Sequence, residues 1–94
     1  MSGCPRRRGE NILVRSGTAP CANYPSQSNC YNIVDHLYRS HGDRITPYCQ
    51  KKGQTIGTNP YWVWSRTPRG HVGWVASWWI DYPYNVLPGV PICS

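Results

Sequence analysis

Five cysteines, Cys4, Cys21, Cys30, Cys49 and Cys93, are the side chains of this sequence best able to do covalent chemistry. None stands in a C-x-x-C pair and no H-x-x-x-H lies nearby, whereas a structural zinc site draws on closely spaced ligand pairs. No metal is therefore expected. Disulfide staples in a small secreted domain match the spacing better. Cys21 and Cys30 bracket the polar stretch Ala22–Asn29, and a bridge across it would contribute about 2–3 kcal/mol by loop closure. Five is odd, so one thiol is left over, and spacing leaves the pairing open. His36, His41 and His71 are far apart, as are Glu10, Asp35, Asp43 and Asp81. No nucleophile signature surrounds a cysteine, no pair of carboxylates is placed for glycoside hydrolysis, and the P-loop and dinucleotide fingerprints are missing. The chain reads as non-catalytic and without a cofactor.

Binding is the remaining chemistry. An extended peptide or a glycan is held by aromatic faces, which supply area at low entropic cost, with amides and hydroxyls to fix orientation. Trp62, Trp64, Trp74, Trp78 and Trp79 exceed what the core of so small a domain can hold. Period-2 alternation puts Tyr61, Val63 and Ser65 on one face of a strand and Trp62, Trp64 and Arg66 on the other. A core role accounts for Trp74 and Val75. It leaves Trp62, Trp64 and Trp78 as candidates for a binding groove. Arg15 could hold an acidic ligand, but at a strand end the structural role is favoured, an internal pair with a carboxylate such as Asp43.

Composition narrows the partners. The 94 residues make one domain, and a chain this short buries only about 60–65% of its unfolded surface, so its core alone gives marginal stability. Nine Gly, nine Pro and 15% charged residues argue against a long helical bundle. Five Trp and seven Tyr argue against disorder. The formal charge of +6 favours anionic partners such as nucleic acid, acidic headgroups or a teichoic-acid-rich wall. No apolar run reaches the roughly 18–20 residues of a membrane span, so no membrane insertion is expected. A signal-peptide pattern is missing as well, so a secreted chain would be one whose leader is absent from this sequence.

The elements that must position these residues are short. Asn11–Arg15 reads as a strand, 16–29 as a long loop, and Cys30–Tyr38 as a second strand ending in a hairpin turn at Ser40–Asp43. Arg44–Gln50 alternates, with Pro47 demanding an edge position or a bulge. Lys51-Lys52-Gly53 reads as a turn, Gln54–Ile56 as a short return, and Gly57–Pro60 as a loop. Strands at Tyr61–Arg66 and His71–Val75 follow, then a tight turn at Ala76–Ile80 entering a last strand, and an extended Pro-rich end. Five or six short strands with turns every 8–12 residues or so predict an all-β domain, a small barrel or sandwich with long loops.

In this order the pieces resemble bacterial-type SH3-like domains. The resemblance rests on Leu13-Val14-Arg15-Ser16-Gly17, an apolar strand near Val34, Gly42-Asp43-Arg44-Ile45, Tyr48-Cys49-Gln50, the Trp62–Trp64 strand, and Gly73-Trp74-Val75 followed by Trp79-Ile80. It covers residues 10–82 and is closest to cysteine-containing members from secreted actinobacterial proteins and fungal cell-wall lytic enzymes. Thr18 replaces the usual Pro after Ser-Gly, Cys21 lies in the loop before Tyr24-Pro25, and residues 83–94 are a tail without counterpart. The resemblance implies a single SH3-like domain over 1–94, with an arm at 1–9 and a Pro-rich tail. It implies a small β-barrel that binds peptidoglycan or another bacterial cell-wall polymer and directs an attached hydrolase to its substrate. It also places the loop carrying Asn23 and Tyr24 beside the binding groove. Two other readings compete: a stand-alone secreted effector, inhibitor or antimicrobial protein, and a basic small barrel for single-stranded nucleic acid. Disulfides count against the last, because nucleic-acid readers mostly work in reducing compartments.

Overall fold

The computed structural model describes residues 11–38, 41–80 and 84–93. The arginine run, Cys4, Glu10 and Asp81 lie outside them. Five strands, β1 (Asn11–Ser16), β2 (Asn32–Tyr38), β3 (Thr46–Ile56), β4 (Asn59–Arg66) and β5 (Val72–Ala76), form one sheet in the order β2-β1-β5-β4-β3. Every pairing is antiparallel. The all-β, disulfide-stapled expectation holds. The sheet is not closed, however, because β2 and β3 form its opposite edges. For the same reason the segment around Gly42 and Asp43 is no hairpin turn: it carries the chain from one edge of the sheet to the other.

Residues directly opposite in antiparallel strands share a face, so the register sorts the core. Trp62 faces Ala76, Trp64 faces Trp74, and Trp74 faces Arg15 across β1. Val63 faces Val75 and Gln50 on the other side of the sheet. The first face packs Trp62, Trp74 and Ala76 against the Cys21–Cys30 disulfide, with Ile56, Trp64 and Trp79 at its margin. The second packs Val14, Leu37 and Val75 with Ile12, Val34, Ile45 and Ile80. The centre of the β4–β5 pair is therefore buried on both sides, which alternation along a single strand does not reveal.

Irregular chain covers the first face. The expected loop at 16–29 contains a short helix, α1 (Ala19–Asn23), opened by Thr18 and by Pro20 within its first turn, where proline lacks only an N–H that the helix would not use. Cys21 and Cys30 are fully buried beneath the sheet. Pro25 then meets β3 edge-on: Gln54 donates its backbone N–H to the Pro25 carbonyl at 2.8 Å, and the Gln27 N–H donates to Gln54 Oε1 at 2.8 Å. A Cβ on Gly53 would come within 2.2 Å of that same carbonyl. Gly53 is thus a point of close approach inside an 11-residue strand and no turn, which corrects the reading of Lys51-Lys52-Gly53. The turn lies further on, at Gly57 and Thr58 between the paired Ile56 and Asn59. Gly57 has φ 63°, as the first central residue of a type II′ hairpin requires.

Pro47 sits on the edge strand β3 next to a register shift between Pro47 and Cys49, in line with its missing donor. Beyond β5 a 3-10 turn, Ser77–Trp79, leads to Ile80. The C-terminal segment returns to Gln50. The buried Gln50 amide donates to the carbonyls of Leu87 (2.9 Å) and Val90 (2.8 Å) and accepts from Leu87 N–H (2.9 Å). Its backbone N–H donates to the Pro91 carbonyl and its carbonyl accepts from Cys93 N–H, both at 2.9 Å. Cys49–Cys93 closes the same contact covalently across 44 residues, a loop worth about 4 kcal/mol in the chain-entropy model. Gln50→Leu would leave several buried backbone groups of the segment unpaired. The expected loss is about 3 kcal/mol, measured as a lowered urea midpoint, and a wild-type midpoint would refute the clamp.

Candidate binding groove

Alternation along β1 turns Asn11, Leu13 and Arg15 to one side, and with Gln27, Ile56, Trp62 and Trp79 they line a groove of about 150 Å³. Each wall has a reason to be where it is. Trp62 is anchored by its indole N–H, which donates to the Gln54 carbonyl at 2.8 Å, so only a margin of the ring meets the groove. Gln27 is carried in by the stapled loop, whose turn is set by Ser26 Oγ accepting from Asn29 N–H at 2.9 Å. Trp79 comes from the 3-10 turn. A second, wider cavity of about 380 Å³ lies beyond Ile12 and Trp79, with Leu37, Val75 and Ile80 in its lining and Asp43 and Arg44 among its polar residues.

The electrostatics differ from the expectation in one respect that matters. Arg15 does not pair with Asp43. Its Nη1 donates to the backbone carbonyls of Gln27 and Cys30, both at 3.3 Å, and so helps hold the loop. Burial draws Arg15 below the ordinary arginine value. Asp43 is taken instead by Arg69, whose Nη2 lies 3.0 Å from Asp43 Oδ2 and whose Nε lies 3.0 Å from Asp35 Oδ1. The same guanidinium donates to the His36 carbonyl at 2.6 Å. One cation therefore ties the 67–70 turn to β2 and to the crossing segment.

The sequence-derived candidates occupy different places. Trp62 lines the groove. Trp64 packs tilted against Trp74, ring centroids 5.1 Å apart, on the same face of the sheet. Trp78 lies against Gly57, where an added Cβ would meet its ring at 2.4 Å. Asn23 and Tyr24 end α1, exposed to solvent, with Tyr24 at 52% of full exposure. The loop's neighbour in β3 is Lys51, whose Nζ donates to the Ala22 carbonyl at 2.9 Å. Asn11, Gln27 and Trp79 were not singled out from the sequence. The i, i+2, i+4 spacing of Asn11, Leu13 and Arg15 is a signal for Asn11 alone; Gln27 and Trp79 reach the groove from the stapled loop and the 3-10 turn, which carry no periodic signal. Among the described residues, no three or more His, Cys, Asp or Glu come together in a way that could hold a metal ion. No protein-family model, curated protein or solved structure matches this chain.

The Arg69 cluster has a pH signature. Burial opposes ionisation of Asp35, but hydrogen bonds from Thr67, the His36 N–H and Arg69 outweigh it and set its pKa below the usual value. Arg69 and the Tyr38 N–H lower that of Asp43. Carboxyls depressed on folding stabilise the protein fully above their unfolded pKa, about 3.9, and lose that contribution as pH falls through the lower folded values. Thermal unfolding followed from pH 6 to 2 should therefore show stability falling below about pH 4, and Arg69→Met should flatten that acid limb. An unchanged limb in the variant would remove Arg69 from the account.

Proposed function

We propose that this chain is a secreted, non-catalytic module that binds peptidoglycan or a related bacterial cell-wall polymer and brings an attached lytic enzyme to it. The observation that carries the reading is the groove itself, where aromatic margins of Trp62 and Trp79 stand beside the amides of Asn11 and Gln27 and the cation of Arg15. That mixture suits an extended ligand with alternating apolar and amide groups. The net charge of +6 adds long-range attraction to an anionic wall. Two disulfides fit an oxidising, extracellular setting. The SH3-like likeness of the Val14-Arg15-Ser16-Gly17 and Gly73-Trp74-Val75 elements belongs to the same reading, with β1 and β5 adjacent as a shared groove wall requires.

The test is co-sedimentation with insoluble cell walls from several bacteria, using glycan-only and peptide-bearing fractions. The groove variant is Gln27→Ala, because Gln27 bonds to Arg15 and Gln54 through its backbone carbonyl and N–H and removal of the side chain leaves those bonds in place. Trp62→Ala is unsuitable, since truncating a buried Trp costs about 3–5 kcal/mol on its own. The wild type should sediment and Gln27→Ala should do so several-fold less. A wild type that stays in the supernatant with every wall overturns the proposal, and so does a Gln27→Ala variant that sediments equally. Steeply salt-dependent capture by single-stranded oligonucleotides without wall binding would instead favour the nucleic-acid reading.

A further inference from the structure

Arg15 is the charged residue of the groove, and its donors are only partly used. Nη1 is occupied by the two loop carbonyls. Among the described residues, Nη2 and Nε have no partner and no carboxylate pairs with the guanidinium, since Asp35 and Asp43 are both held by Arg69. The guanidinium is half-buried and fixed in orientation by Nη1, in contrast to a surface arginine free to rotate into water. A planar fork of donors held in this way matches the two oxygens of a carboxylate, and a fixed fork loses little freedom on binding one.

We infer that Arg15 anchors a subsite for the free carboxylate of an amino-acid or peptide ligand, whose alkyl group lies against Trp62 and Ile56 and whose amide meets Gln27 or Asn11. The inference deepens the wall-binding reading, on which it rests for the source of the ligand. Size and lining decide between carboxylate and phosphate. A cavity near 150 Å³ accepts a group of benzene size, enough for the carboxylate, Cα and small side chain of one residue. Leu13, Ile56, Ala76 and the indole margins offer apolar contact that a phosphate has no group to use. A glycan hydroxyl, being uncharged, would leave the guanidinium without a counter-charge.

The deciding experiment titrates the wild-type chain, by tryptophan fluorescence, with N-acetyl-alanyl-alanine in its L,L and D,D forms, with the corresponding C-terminal amides, and with inorganic phosphate. The free acid of one form should bind at least about tenfold more tightly than its amide, and more tightly than phosphate. Arg15→Gln should abolish the difference, and Arg15→Lys should restore only part of it because the point charge lacks the fork. Arg15 also holds the loop, so the fold of each variant is checked by near-ultraviolet circular dichroism. The contrast between acid and amide on the wild type stands without any variant. Equal affinity for acid and amide in both forms, binding of neither, or phosphate binding tighter than the acid overturns the inference. A chain that prefers the acid yet ignores cell walls sinks the wall-binding reading alone. One that sediments with walls yet does not distinguish acid from amide sinks this subsite alone.

Discussion

Gln50 is where the edge of the sheet and the end of the chain are made into one object. Its side-chain amide uses both donors and its oxygen on the backbone of Leu87 and Val90, while its own peptide bonds to Pro91 and Cys93. A buried amide without partners would be costly, and one with every donor met fixes a unique docking geometry. The adjacent Cys49–Cys93 bridge then removes from the unfolded state the freedom that the segment would otherwise regain. Leu87, held there, is itself buried, and Gln50 lies opposite the fully buried Val63 of β4. A chain of this length has too little apolar area to seal both faces of its central strands by packing alone. Two irregular segments, each tied by a disulfide and a set of backbone bonds, do the sealing.

The same economy governs charge. Among the described residues two carboxylates and one arginine form a closed set at Arg69, on the side of the molecule where the crossing segment passes. That arrangement removes the acids that would otherwise neutralise Arg15. The consequence is a groove lined by a cation, two amides and two indoles, with no opposing acid among its lining residues. Its orientation depends on the stapled loop, because the Gln27 and Cys30 carbonyls that steady Arg15 are set by the Cys21–Cys30 bridge and the Ser26 turn. Stability and the candidate binding site thus share the same loop.

Much of the sheet was legible in the residues. β-Branched runs and alternation located β1, β2, β4 and β5 within a residue or two, and Pro47 announced an edge strand before any pairing was known. The bridge across the 22–29 loop was also suggested by spacing. What stayed hidden depended on tertiary contact. Lys-Lys-Gly reads as a turn until the Pro25 carbonyl is seen occupying the place of a Gly53 side chain. Gly42 reads as a hairpin glycine until β2 and β3 prove to be opposite edges. Trp62 reads as one face of a half-buried strand, but its indole is enclosed by a loop with no periodic signal of its own. Nothing local in Tyr-Cys-Gln-Lys marks Gln50 as fully buried, since its partners lie some 37–43 residues away.

The C-terminal segment has one more effect. By bonding to the outer N–H and C=O of Gln50, it pairs one position on the free edge of β3, as the Pro25 carbonyl does at Gln54, and so leaves less of this 11-residue strand as an unpaired backbone template. Exposed templates of that length recruit strands from neighbouring molecules and seed aggregation. Reduction of Cys49–Cys93 or trimming of the segment would therefore do more than loosen the fold. It would also free the Gln50 backbone to pair with a strand of a neighbouring molecule, a step favoured by higher concentration.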